Sequence, residues 1–445
     1  MCKNFKKLAD NMIDLLNEIN QVITFNFNNS DITLNDVAIK TDNISFNSEN
    51  KEFLFQSKQI EILNKINDYV DVKINNEYFL KNCLYLNDKF GNVKIKYANI
   101  EYKKITNQKQ LNVAIFKKPK QFRKVNDYII DRSNIPFAEF NLYEEHFILI
   151  MKNENLFLIS DNFLQEDIFI KYATSIKLAI GLLACDFIGG DEIFACTDTS
   201  YKLINLKSFS MTSEQNLNFD IFTTCLPILF QRINQNNVAL TSEQFTNLCR
   251  LISENEQLQV AVYYIAQSAN LWVEHKLTFL AVALEALTGY IAESKNEKLL
   301  PDDIFTDIEG RYKDFLKTLN LENDIIEVLE GKFRNCKSNN TKLREPFEYY
   351  GITINKEDNE MIQKRNPLLH GKGFKYSKDI FSYSIKLEKQ TKIYYHLLYS
   401  LLLKICGYSG IIINLKLWDE IVKNNNNLIG SNKFLSNFEN YTLEI

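Results

Sequence analysis

Hydrophobic periodicity changes near residue 215 of the 445-residue chain, and that change constrains the fold more than any other feature. Before it, VITFNF from Val22, ITLNDVAI from Ile32, VKIKYANIEYKKI from Val93, LNVAIF from Leu111 and HFILIM from His146 have strand lengths. They alternate or cluster apolar, aromatic and β-branched residues, and Asn-rich or Gly-containing turns separate them. Two segments, Glu52–Ile66 and Ile170–Phe187, read as helices within this region. A strand pattern returns in ACTDTSYKLINLKSFS from Ala195, before polar MTSEQNLN from Met211 marks a domain boundary.

Beyond that point the apolar spacing becomes helical. Leu277, Leu280, Leu284, Leu287 and Ile291 recur at steps of three and four, and Tyr394, Leu397, Leu401 and Ile405 repeat the pattern. TSEQ at Thr241 has the form of a capping box, in which hydroxyl and amide satisfy reciprocal backbone donors. Helices are predicted near residues 219–235, 242–253, 257–292 with an interruption near Ser268, 303–318, 322–336, 357–365 and 386–406. The fold class is α+β: a strand-rich N-terminal domain over residues 1–218, with an antiparallel sheet or sandwich, then an all-α bundle over 219–445.

Composition narrows the chemistry. The apolar stretches LAIGLLACDFI from Leu178 and LLYSLLLKICGYSG from Leu397 are too short, or too broken by Lys404 and glycine, for the roughly 20 residues of a membrane span. The first residues, MCKNFKKLAD, carry charge without an apolar region or cleavage site, so no secretory signal is predicted. Cys2, Cys83, Cys185, Cys196, Cys225, Cys249, Cys336 and Cys406 show no paired spacing, which suits reduced thiols in a cytoplasm. With four histidines (His146, His275, His370 and His396) and no HExxH, a zinc site is not expected. GxSxG and P-loop motifs are absent, and GKGFKY at Gly371 lacks the third glycine of a dinucleotide fingerprint, so no cofactor is predicted.

Candidate chemistry concentrates in KRNPLLHG, Lys364 to Gly371. Pro367 disfavours helical φ/ψ at Asn366, so the helix is expected to break there and restart with Asn366 as N-cap and Pro367 at the first position. In an unbroken helix, residues five apart point roughly 140° away from each other. A break would let Arg365 and His370 converge. From Met361 to Lys378 the chain carries Lys364, Arg365, Lys372, Lys375 and Lys378 and no acid, within a protein of formal net charge −4. A histidine that titrates near neutrality beside a permanently charged, fork-shaped guanidinium suits phosphodiester chemistry.

The ordered set of an ALEAL helix, an RNxxxH turn and a closing helix that ends in GYSG resembles the HEPN superfamily, specifically the HEPN domains of ApeA-like prokaryotic defence proteins, over roughly residues 220–445. The resemblance implies a helical, often dimeric domain and a metal-independent endoribonuclease whose motif falls on Arg365 and His370, with Asn366 as its polar residue. The expected reaction is attack of an RNA 2′-hydroxyl on its adjacent phosphate, leaving 2′,3′-cyclic phosphate and 5′-hydroxyl ends. The implied role is that of a cytoplasmic anti-phage, abortive-infection effector acting as a homodimer or higher homo-oligomer. A phage-derived trigger would act at a sensor or regulatory N-terminal domain.

Roles follow from residue chemistry. His370 is the candidate proton-transfer group, and Arg365 the candidate holder of the scissile phosphate. Glu285, the one charge within Leu277–Leu287, is the candidate support for Arg365. Asn366 suits either capping or phosphate contact. Lys364, Lys372, Lys332 and Arg334 are candidate RNA-backbone contacts, with Lys337, Lys342 and Arg344 in the same polar loop; such residues equally form an ordinary solvated face. His275 and His396 read as packing or surface residues, and His146 has no evident partner. Lys94–Lys124 carries ten Lys or Arg against Glu101, with interspersed aromatics; this is either a nucleic-acid surface or lysine-protected strands. The alternative reading of the whole chain is a catalytically silent HEPN-like RNA-binding or dimerisation module.

Overall fold

A computed structural model describes residues 5–23, 27–34, 37–47, 52–56, 69–74, 78–87, 92–96, 99–103, 110–117, 137–184, 187–211, 240–295, 300–319, 321–333, 339–369, 380–414, 416 and 442–444. Two compact units emerge. Among the described residues, the first runs to Glu254 and the second begins at Asn255.

Among the described residues, the first unit is built on one antiparallel sheet of 13 strands. Strands β1 (Phe27–Leu34), β2 (Val37–Asn47), β3 (Glu52–Gln56), β4 (Tyr69–Ile74), β5 (Tyr78–Asn87) and β6 (Asn92–Lys96) close into a ring, because β4 pairs with both β1 and β5. Among the described residues, closure leaves no free edge in that part. The expected curled antiparallel sheet therefore closes on itself and does not split into a sandwich. Strand β5 divides one edge between β6 and β7 (Asn99–Lys103), and β7 continues the sheet through β13 (Leu203–Met211), β12 (Gly190–Asp198), β8 (Gln110–Lys117), β11 (Asn155–Ser160), β10 (Glu145–Lys152) and β9 (Phe137–Leu142).

This open part is covered on both faces, which is why HFILIM and NLFLIS are almost unbroken apolar runs. Helix α1 (Phe5–Ile23) lays Leu8, Met12, Leu15 and Ile19 on Val113, Ile115, Ile148, Ile150, Phe157 and Ile159. Helix α2 (Glu166–Ala184) covers the alternate residues: Phe169 meets Phe194 edge-on, and Tyr172 meets Phe147. Helix α3 (Ser242–Glu254) packs on α2 and β9, with Phe245 against Phe140 at 5.1 Å between ring centroids. Its start is the expected capping box: Gln244 N–H donates to Thr241 Oγ1 at 3.1 Å and Thr241 N–H to Gln244 Oε1 at 2.9 Å.

Tyr143, at φ 57° in the turn from β9 to β10, fixes α3 further. Its hydroxyl lies 2.9 Å from both Ser253 Oγ and Glu254 Oε1, and its ring stacks on Tyr172; these contacts offset the strain of a left-handed aromatic residue. Helix α3 thus belongs with the strand-rich unit, not with the helical part on which the boundary at 218/219 had placed it.

The second unit is mainly helical. It holds α4 (Glu256–Ser268), α5 (Val273–Lys295), α6 (Asp302–Thr318), α7 (Asn323–Lys332), α8 (Asn339–Tyr349), α9 (Lys356–Leu369) and α10 (Ile380–Ile405). Helix α5 is central and packs on α4, α8, α9 and α10. The predicted 257–292 helix is interrupted after Ser268, whose hydroxyl bonds Tyr395 at 2.7 Å. Gly407, at φ 86°, closes α10: Tyr408 N–H reaches Leu403 O at 2.9 Å and Gly407 N–H reaches Lys404 O at 3.0 Å. Beyond it β14 (Ile411–Ile413) pairs with β15 (Thr442–Glu444).

The N-terminus forms α1, although VITFNF had been read as a strand from Val22. Glu52–Gln56 is β3 and not a helix start, with 57–66 outside the described residues. The polar segment holding Lys342 and Arg344 lies on α8, where Leu343, Pro346 and Phe347 are buried; that face outweighs the cost of a proline within the helix. The expected 219–235 helix lies outside the described residues. No helix among the described residues is long and apolar enough to cross a membrane.

Candidate active site

Helix α9 begins at a reciprocal cap. Asp358 N–H donates to Asn355 Oδ1 at 2.9 Å, and Asn355 N–H donates to Asp358 Oδ2 at 3.0 Å. From that point Asp358, Met361, Ile362, Arg365 and Leu368 are buried, three and four residues apart. Arg365 therefore sits in the apolar stripe of α9, not on its solvent face.

The helix runs through Pro367 to Leu369, contrary to the expected break, so Asn366 is an interior helical residue and not an N-cap. The physical reason is local cost against tertiary gain. A proline removes one bond to the carbonyl four residues back and crowds it, but only the final turn follows, and continuing the helix keeps Leu368 in the buried stripe. No break therefore separates Arg365 from Leu369, and His370 lies outside the described residues.

Helix α5 supplies the partner. Leu277, Leu280, Ala281, Leu284 and Leu287 are wholly buried, while Glu285 stands at the margin of that face. Arg365 Nη1 lies 3.3 Å from Glu285 Oε1; the arginine side chain is 6% exposed and the glutamate 52%. The pairing matches expectation. The supposed cost of burying Glu285 does not, because the arginine is the buried partner.

Helix α10 closes the other side. Tyr394, fully buried, donates to Met361 O at 2.9 Å, one turn before Arg365. Burial pushes its phenol well above the usual range, while the charge of Arg365 pulls in the opposite direction.

Nothing in the sequence reading anticipated a second polar cluster at the start of α9. Lys416 Nζ donates to Asp358 Oδ2 at 2.7 Å, and the Asp358 carboxylate is wholly buried. His396, also buried, has its pKa lowered to about 3, first by desolvation and then by the Lys416 charge. It is neutral at physiological pH and unsuited to a proton-transfer role there. The signal for this cluster was the spacing that puts Asp358 seven residues before Arg365, on the same helix face.

Of the other candidates, Lys364 is exposed on α9 and Lys332 is exposed on α7, which packs on α6; Arg334, His370 and Lys372 lie outside the described residues, as does the side chain of Asn366. His275 is exposed. His146 does have a partner: its Nδ1 is 2.7 Å from Asp161 Oδ2. Among the described residues no group of three or more His, Cys, Asp and Glu is gathered to hold a metal.

No protein-family model matches this chain, and neither a curated protein nor a solved structure does.

Proposed function

We propose that the second unit is a HEPN-type, metal-independent endoribonuclease and that the whole chain is an anti-phage effector. The observation that carries this reading is the arginine of the RNxxxH segment, buried on α9 and paired with the Glu285 carboxylate of α5 at the solvent margin. A guanidinium in low dielectric stabilises charge growing on phosphate oxygens more strongly than one in water. Glu285 holds its fork oriented, and a substrate phosphate shares or displaces that contact. His370, five residues on, moves the proton of the 2′-hydroxyl or protonates the leaving 5′-oxygen. Lys364 contributes charge toward the RNA backbone. The defence role rests on the family resemblance alone, and so does the sensing role of the strand-rich unit.

One observation favours a second reading, a silent RNA-binding or dimerisation module: the Arg365 side chain is enclosed and already engaged by a carboxylate. Incubating the full chain with matched RNA and DNA strands in EDTA separates the two. The nuclease reading expects RNA cleavage with 2′,3′-cyclic phosphate ends and intact DNA. Binding without cleavage would establish the module.

A further inference from the structure

Helices α6 and α7 form an antiparallel hairpin that buries little: across the residues of both, Leu316 is the only one fully buried. Phe305 and Tyr312 stack on Phe333, with ring centroids 5.4 and 4.6 Å away, and the Tyr312 hydroxyl donates to Leu329 O at 3.4 Å, so these side chains fill the inner side. Isolated helices of this length are marginal in water, and burial of an apolar face normally stabilises them.

A second apolar face is left over. Ile304, Ile308, Phe315 and Leu319 are exposed, Phe315 to 56%, and at about 100° per residue they form one stripe roughly 60° wide beside the inner side of α6. Ile325 and Val328 of α7 are exposed as well. The same rotation, reversed because α7 runs back along α6, turns them to the same side of the hairpin. Two neighbouring helices with apolar rows on one side form the seat that a third helix takes in helical packing. From Ile304 to Leu319 the stripe is about 22 Å long, the length of roughly four helical turns.

Charge selects what sits there. From Pro301 to Phe333 the chain carries nine acids and four bases, a net charge of −5 within a protein whose total is −4. Three of those bases pair with acids of α6 itself: Arg311 with Asp307, Lys313 with Glu309 and Lys317 with Asp314. The other acids, Asp302, Asp303, Glu322, Asp324, Glu327 and Glu330, outnumber the one other base, Lys332. Asp303, Asp307 and Asp314, all exposed, rotate to the outer margin of the α6 stripe, and exposed Asp324 to that of α7. An anionic bilayer, a nucleic acid and a second copy of the same acidic hairpin are repelled by such margins, whereas a cationic partner is drawn to them. We propose that this face of the α6–α7 hairpin docks a cationic amphipathic helix of a partner protein, with its apolar side chains on the stripe and its Lys or Arg over the aspartate margins. The surface does not depend on the ribonuclease reading, since α6 packs on α7 while Arg365 lies on α9 among α5, α8 and α10.

Fluorescence anisotropy of the full chain with a labelled peptide of about 18 residues, leucines at helical spacing and lysines elsewhere, tests this at physiological salt. That peptide should bind at least tenfold more tightly than a scrambled peptide of the same composition or one with glutamate in place of lysine. Phe315→Ser removes an apolar anchor, and Asp303→Lys combined with Asp324→Lys reverses both margins. Each should weaken binding about tenfold, with unchanged circular dichroism because all three positions are exposed. Vesicles of phosphatidylserine should not bind, and sedimentation should show no self-association that Phe315→Ser abolishes. No binding of the leucine–lysine peptide, equal binding of all three peptides, or wild-type affinity in both variants would overturn the proposal. Vesicle binding or self-association that Phe315→Ser removes would overturn it in favour of a lipid surface or a second copy.

Discussion

Arg365 and Glu285 form an unequal pair: the arginine side chain is 6% exposed, the glutamate 52%, with Nη1 and Oε1 3.3 Å apart. The exposed anion offsets part of the cost of burying the cation. Glu285→Gln should therefore lower RNA cleavage several-fold and cost about 1–3 kcal/mol of stability, because a charge in an apolar stripe then loses a charged acceptor. Chemical denaturation alongside initial rates checks both. Equal rates and stability would reduce the pair to a surface contact.

Pro367 lies within the last turn of α9 and exposes its ring. Pro367→Ala restores an N–H for the carbonyl of Gln363 and should stabilise the unit by about 1–3 kcal/mol. If the proline sets the exit of the chain toward His370, the same variant loses activity while melting higher. A rise in melting temperature with unchanged cleavage would make Pro367 irrelevant to the site.

The helical periodicity made α5 and α10 legible, because Leu277–Ile291 and Tyr394–Ile405 bury one face each and their spacing says so. The geometry of the RNxxxH segment was not legible. Its local signal, a proline after an asparagine, argued for a break, yet Leu368 and Arg365 belong to one buried stripe, and tertiary burial overrode the local preference. Ring closure of β1–β6 depends on β4 meeting β5 and β1 at once, a non-local pairing that alternation along single strands does not encode. Helix α1 was missed because the apolar VITF at its end has the composition of a strand.

Lys416 neutralises the wholly buried Asp358 at 2.7 Å from beyond the end of α10. Lys416→Met should cost about 3–5 kcal/mol, and adding Asp358→Asn should recover part of that loss. Urea midpoints of the two single variants and the double variant give the coupling; additive losses would deny that the two side chains interact.

His396 titrates at about 3 when folded, against a usual value near 6.5. The unfolded chain therefore binds more protons between those values, and stability falls as pH drops from 6.5 toward 3, by an amount on the order of a few kcal/mol. His396→Phe removes this linkage. Between pH 6.5 and 4.5, above the range where most carboxylates titrate, the variant should lose less stability than wild type. Parallel pH profiles would contradict burial of a neutral His396.

Arg365 and His370 are proposed to cut RNA together without metal, and end-group analysis of RNA treated in EDTA is the decisive measurement. Wild type should leave 2′,3′-cyclic phosphates, His370→Ala should leave the substrate intact while folding normally, and Arg365→Lys should cut at least tenfold more slowly because a point charge cannot reproduce a bidentate contact. Undiminished cleavage by purified His370→Ala would contradict the account.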